Sequence, residues 1–327
     1  MRVAVTGSIA TDHLLRSPGR FTDPFLADRL DEESRTLLAD RLEIRRGGVA
    51  ANISVGLGRL GLRPVLVGAV GGDFEPYRSA LRRDGVDTGS VRVSALTHTA
   101  RYLRTTDRMR RRVSAFRAGA MEQARHLDLG SVVGRVGRLG LVMVSPDDPE
   151  AMVRHARACR RLRIPFAVHP AQQLTALGRH ETRELIAGAG WLFTNADEAE
   201  ELCARAGLTR AEILRTTGVW VTTRGADGVR CDRAGHPPLA VPAVPVPGVV
   251  CPAGAGDGFR AGFLAALTWR MPHRQAAQLG CALAATVLDY AGTQEYRLYR
   301  DCLLTRLRTG YGPEAVLRLV AHLRALT

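Results

Sequence analysis

Cys251-Pro252-Ala253-Gly254-Ala255-Gly256-Asp257-Gly258-Phe259-Arg260 brings one carboxylate to the start of a helix behind a glycine-rich turn. Small residues at Gly254, Ala255 and Gly256 let backbone N–H groups come close to a ligand, and the unpaired amides of a first helical turn attract anions. A migrating phosphoryl group suits that place. Asp257 beside it can take a proton from an attacking hydroxyl, and the helix dipole favours its ionised form. Phe259, Phe263 and Leu267 repeat every four residues and predict a helix with a buried face. The string alone equally describes an Asp capping a helix after a glycine loop, so the rest of the chain has to decide.

Around this segment, short apolar runs alternate with longer amphipathic stretches. That rhythm predicts an α/β fold, a mostly parallel sheet flanked by helices. Strands are expected at Val3 to Thr6, Val65 to Gly68, Leu141 to Ser145, Phe166 to His169, Trp191 to Thr194 and Trp220 to Thr223. Helices are expected at Ala51 to Leu60, Pro149 to Arg161, Ala196 to Ala206 and Arg210 to Thr216. Two stretches break the pattern, Ser17 to Arg46 and Thr99 to Gly119, the second with a hairpin of Tyr102 to Thr106 and Arg112 to Phe116. We read one domain over 1–327, with these additions forming a small β-rich lid at about 15–46 and 99–119. The proline-rich Gly235 to Pro247 reads as a loop with edge strands.

Composition narrows the function. The 327 residues carry a formal charge of +14, but all 46 basic residues are arginine and none is lysine. They are spread along the chain, the mark of a GC-rich coding bias more than of a nucleic-acid footprint, and no nucleic-acid partner is expected. Without lysine there can be neither a Walker A loop nor a protein-kinase ATP lysine. No run of about 18 apolar residues occurs, so no membrane association is expected. The start reads as a strand, and a cytoplasmic location follows. Six scattered cysteines form no C-x-x-C pair, so neither zinc nor a disulfide framework is indicated.

Four separated segments agree with one family. They are Arg46-Gly47-Gly48-Val49-Ala50-Ala51-Asn52 with Gly68-Ala69-Val70-Gly71-Gly72-Asp73, then Asn195-Ala196-Asp197-Glu198, then Thr223-Arg224-Gly225-Ala226-Asp227-Gly228, and Gly254 to Asp257. The chain resembles the ribokinase-like (PfkB) carbohydrate and nucleoside kinases nearly end to end. Within them it is similar to the adenosine kinases of actinobacteria through Thr6 to His13, Phe116 to Met121, Ala171 to Leu174 and Gly292 to Glu295.

The resemblance implies an ATP- and Mg²⁺-dependent kinase of a small-molecule hydroxyl substrate, with adenosine as the default acceptor. Ser8, Asp12, Gly47, Gly48 and Asn52 would hold the sugar, where Asp12 can accept from two neighbouring hydroxyls. Read alone, Asp12 is a turn or cap residue and Asn52 a polar helix start. Tyr102 and Phe116 would flank the base, with Gln172 and Gln173 adding polar contacts; hairpin packing and a solvated loop are the plainer account of these four. Asn195, Thr223, Gly225 and Gly228 would shape the nucleotide site, with Glu198 reaching Mg²⁺ through water. Asp257 would be the base, and the amides of Ala255 and Gly256 would steady the transferred group. The resemblance also implies a homodimer paired through the lids.

The pattern breaks at Cys251 and Ala253, where the family carries Asp and Thr. Two oxygen ligands are lost, so activation by a monovalent cation such as potassium is not implied here. His169 replaces an Asp and reads as a packed strand-end residue. Arg108, Arg110, Arg111 and Arg112 either meet an anion or form a solvated hairpin tip, the reading favoured here. Asp28, Asp31, Glu32 and Glu33 oppose them with an acidic patch. These departures leave open a kinase of a sugar-bearing secondary metabolite, such as an aminoglycoside precursor. A nucleoside-binding protein without turnover is disfavoured by Asp257.

Overall fold

A computed structural model describes residues 1–21 and 38–323. The acidic residues Asp28, Asp31, Glu32 and Glu33 lie outside the described residues. The strands are β1 (Val3–Thr6), β2 (Ala10–Arg16), β3 (Arg41–Gly47), β4 (Val65–Gly71), β5 (Asp87–Ser94), β6 (Ala100–Thr106) and β7 (Arg112–Arg117). They continue with β8 (Leu141–Val144), β9 (Phe166–Val168), β10 (Trp191–Asn195), β11 (Val219–Thr223), β12 (Val229–Asp232) and β13 (Leu239–Val241).

Nine strands form one sheet in the order β13-β12-β11-β10-β9-β8-β1-β4-β5. It is parallel from β11 to β5; at the other edge β12 pairs antiparallel with β11, and β13 antiparallel with β12. Alternation of side chains gives each face its own core. Val3, Val5, Met143 and Phe193 pack on one face with the helices Val49–Arg59, Ala255–Thr268 and His273–Leu288. Ala4, Val142, Val144 and Leu192 pack on the other with Pro149–Arg161, Arg179–Ile186 and Ala196–Ala206. Burial on both faces is why the central strands read as continuous apolar runs. The helix His273–Leu288 is buried on nearly every side, so no polar stripe marked it in the sequence. No helix among the described residues is long and apolar enough to cross a membrane.

A smaller sheet has the order β3-β2-β6-β7. Its hairpin, β6 with β7, lies where the sequence placed one. The sheet begins earlier than expected, at Ala10, because β2 pairs with β3 on one side and with β6 on the other. That register sets Asp12 opposite Arg45 and Tyr102, and Tyr102 opposite Phe116. These residues therefore share the sheet face that bears Asp12.

Candidate active site

In an open α/β sheet, ligands sit beyond the carboxyl ends of the parallel strands. Ser8 follows β1, Pro146 follows β8, and His169 follows β9; Asn195 and Thr223 end β10 and β11. The smaller sheet stands over this edge, and three cavities lie there.

The first has a volume of 160 Å³ and is lined by Ser8, Asp12, Gly48, Asn52, Tyr102 and Phe116, with Gln172 and Gln173 on a short 3₁₀ turn. Of the nine residues expected to bind an acceptor, only Gly47 does not line it; its carbonyl accepts from Tyr77 Oη at 2.8 Å. Ser8 Oγ accepts from Val49 N–H at 3.0 Å, starting the helix that carries Asn52. Gly48 has φ 94°, and a Cβ there would come within 2.6 Å of Ala10 N, so glycine alone lets β2 and this helix approach so closely. Burial pushes the Asp12 carboxyl up to about 6, with Arg104 opposing and Glu295 and Asp257 adding to the rise.

The second cavity, of 620 Å³, is lined by Thr223, Gly225, Gly228, Pro252, Ala255 and Gly256 and by apolar groups including Val244, Val246 and Phe259. Its apolar walls suit a planar base, and its far end is the start of the helix Ala255–Thr268. Gly254, at φ 82°, caps that helix. The N–H groups of Gly256 and Asp257 have no protein acceptor among the described residues, and that of Ala255 has only Pro252 O at 3.4 Å. They are free to meet an anion.

Asp257 lies between the two cavities. Its neighbours Ala255 and Gly256 line the second, and its Oδ2 accepts from Asn52 Nδ2, in the wall of the first, at 2.8 Å. Thr293 Oγ1 and Gln294 Nε2 donate to Asn52 Oδ1 at 3.0 and 2.8 Å, which fixes the amide so that its NH₂ faces the acid. Burial raises the Asp257 carboxyl above its usual range; Arg260 and the Asn52 hydrogen bond oppose that rise.

Asn195 was expected at the nucleotide site and Glu198 on Mg²⁺ through water. Here they bind each other as a capping box: Glu198 N–H donates to Asn195 Oδ1 at 2.7 Å and Asn195 N–H to Glu198 Oε2 at 2.8 Å. Neither lines the cavities above. Glu198 reaches inward instead, Oε2 standing 3.4 Å from His169 Nε2. No cluster of three or more His, Cys, Asp or Glu among the described residues could cage a metal. One free carboxylate oxygen on Glu198 does fit a Mg²⁺ that keeps most of its waters and arrives on phosphates.

The third cavity, of 710 Å³, lies between the smaller sheet and Val250–Ala253. Arg108, Arg110 and Arg112 line it together with Arg16, Arg41 and Arg104, so part of the hairpin cluster faces the segment that precedes Gly254. Arg111 turns instead to Asp107, which accepts its Nε at 2.8 Å. Sequence reading missed Arg260, whose one signal was its place three residues after Asp257, lost among 46 basic residues.

A ribokinase-type sheet, a second sheet over its ligand edge and an acid at an amide-rich helix start define a kinase that phosphorylates a hydroxyl group. The pfkB family carbohydrate kinase model matches residues 2–298, and the chain belongs to that family. It is 28% identical over 272 residues to a nucleoside kinase of Methanothermobacter thermautotrophicus, covering 82% of this chain and 86% of that one. It is also similar to the nucleoside kinase of Burkholderia thailandensis solved with inosine: TM-score 0.83, 28% identity, 95% of this chain and 98% of that one. The Methanocaldococcus jannaschii nucleoside kinase shares the fold, with a TM-score of 0.83 at 22% identity over 94% and 98% of the two chains.

Proposed function

We propose that this chain transfers the γ-phosphoryl group of ATP to the primary 5′-hydroxyl of a ribosyl nucleoside, with adenosine the first acceptor to try, and that Asp257 is the general base. The observation that carries the reading is the place of Asp257 between two cavities of different character, one lined by aromatic and amide groups, the other apolar and ending at free N–H groups. Nucleoside kinases at 28% identity, one solved with inosine, support a purine nucleoside as acceptor.

In this reading Asp12 accepts from the ribose hydroxyls, Tyr102 and Phe116 flank the base, and the 5′-hydroxyl points at Asp257. The hydroxyl proton passes to the carboxylate as the new O–P bond forms and the bond to the departing ADP breaks. The N–H groups of Gly256 and Asp257 receive charge developing on the phosphoryl oxygens. Glu198 would hold Mg²⁺ through water, and that ion would neutralise phosphate charge. The smaller sheet serves as a lid that excludes water, protecting ATP from hydrolysis. Its outer face, with Leu42 57% and Ile44 60% exposed beside Leu103 and Val113, fits a second copy of the chain.

The experiment is transfer from radiolabelled ATP to a panel of nucleosides, free sugars and aminoglycosides. Label on adenosine or inosine at the 5′ position supports the reading. Transfer only to an aminoglycoside or a free sugar replaces the acceptor, and binding without transfer to anything rejects the enzyme.

A further inference from the structure

The Asp257 carboxylate is held at both oxygens, and the second holder is part of a buried chain of polar groups with no assigned role. Arg260, one helical turn after Asp257, is 5% exposed. Its Nη1 stands 3.4 Å from Asp257 Oδ1 and its Nη2 2.6 Å from His169 Nε2. Glu198 Oε2 lies 3.4 Å from that same imidazole nitrogen. Arginine only donates, so His169 Nε2 accepts and the ring proton sits on Nδ1, which has no partner. Glu198 Oε2, which Asn195 N–H holds in the capping box, therefore faces the guanidinium charge beside the same nitrogen rather than a ring proton.

A buried guanidinium is costly unless it is paired, and an apolar side chain of similar size commonly serves a core as well. Arg260 is paired, but not as a compact ion pair: it reaches in two directions, towards the base and towards the metal-side acid. We propose that Arg260 is a positioning residue for Asp257, aligned by His169, and that this link joins the base to the Glu198 end of the site.

Asn52 on Oδ2 and Arg260 on Oδ1 stop the carboxylate from rotating about Cβ–Cγ. Each oxygen keeps a further lone pair, so the held carboxylate can still take the acceptor's proton. The guanidinium charge also holds Asp257 ionised against its burial. His169, neutral and without its own proton to give on this side, sets the tilt of the guanidinium plane.

The inference rests on Asp257 being the base. Its test uses the full chain with ATP and adenosine or inosine, whichever turns over, and the variants Arg260→Met, Arg260→Lys, His169→Gln, His169→Leu and Asp257→Asn. Arg260→Met lowers kcat about 100-fold while the nucleoside KM changes less than about 3-fold, the signature of lost alignment. The acid limb of its kcat against pH moves to higher pH, because the charge that favours ionised Asp257 is gone. Arg260→Lys does not rescue, since one ammonium cannot span both partners. His169→Gln, which keeps an acceptor for Nη2, recovers most of the activity that His169→Leu loses.

Unchanged kcat and pH limb in Arg260→Met overturn the link, as does a variant that melts earlier but turns over normally per folded molecule. If Arg260→Met does not fold, the His169 pair decides, and equal rates for Gln and Leu overturn it. Full activity in Asp257→Asn rejects the base itself; an inactive Asp257→Asn beside a fully active Arg260→Met rejects only the link.

Discussion

Asn52 donates to Asp257 across 205 residues of sequence, 2.8 Å from amide nitrogen to carboxylate oxygen, and both groups are buried. One helix starts under the cavity lined by Tyr102 and Phe116, the other at the free amides beside the cavity lined by Thr223 and Gly228, and this hydrogen bond joins the two. Asn52→Leu keeps the branched side-chain skeleton but removes the donor. We expect kcat to fall about 10- to 100-fold, with a smaller rise in nucleoside KM, measured by steady-state kinetics on protein whose melting curve shows it folded.

Asp12 gives a pH dependence of known sign. Its carboxyl is raised to about 6 by burial, so it is ionised above that pH and protonated below it. Only the ionised form accepts from two hydroxyls at once. Nucleoside KM is expected to rise as pH falls from about 7 to about 5 while ATP KM stays level, and Asp12→Asn should bind weakly at every pH without that slope. Isothermal titration of the nucleoside across this range checks it.

Gly254 stands at φ 82°, and a Cβ added there would meet Thr293 Cβ at 2.9 Å. Gly254→Ala should cost about 1–3 kcal/mol from the left-handed backbone alone. It should also displace Thr293, which donates to Asn52. Urea unfolding measures the first effect, and a drop in kcat larger than that seen with Thr293→Ala would show the turn itself is disturbed.

Much of this was legible in the sequence, and the exceptions have physical causes. The helices Pro149–Arg161, Ala196–Ala206 and Arg210–Thr216 match their predicted bounds because each carries an amphipathic stripe and a capping residue at Asp148, Asn195 or Thr209. The residues lining the first cavity came from motifs that a family resemblance could align. Asn52 was read as a sugar ligand; its partner in Asp257 was invisible because hydrogen bonds between distant segments leave no spacing in the chain. Asn195 and Glu198 fit a metal pair and a capping box equally well by spacing, and here they form the box. His169 was read as packed and is indeed buried, with burial and Arg260 pushing its imidazole down to about 4, yet it touches two charged groups.

The exposed face of the smaller sheet yields a prediction on assembly. Leu42 and Ile44 pair with Leu15 and His13 on one side of that sheet, away from the face bearing Asp12. If two copies pair there, Ile44→Glu with Leu42→Glu should halve the mass seen by sedimentation equilibrium. A wild-type chain already monomeric at micromolar concentration would reject the lid-paired dimer.

The most direct test of the central claim is Asp257→Asn, an exchange that keeps size and shape and removes only the base. Pre-steady-state transfer from radiolabelled ATP should fall at least about 10³-fold, while ATP and nucleoside affinities by titration remain within about threefold of the parent. A variant that transfers phosphate at the parent rate would contradict the account.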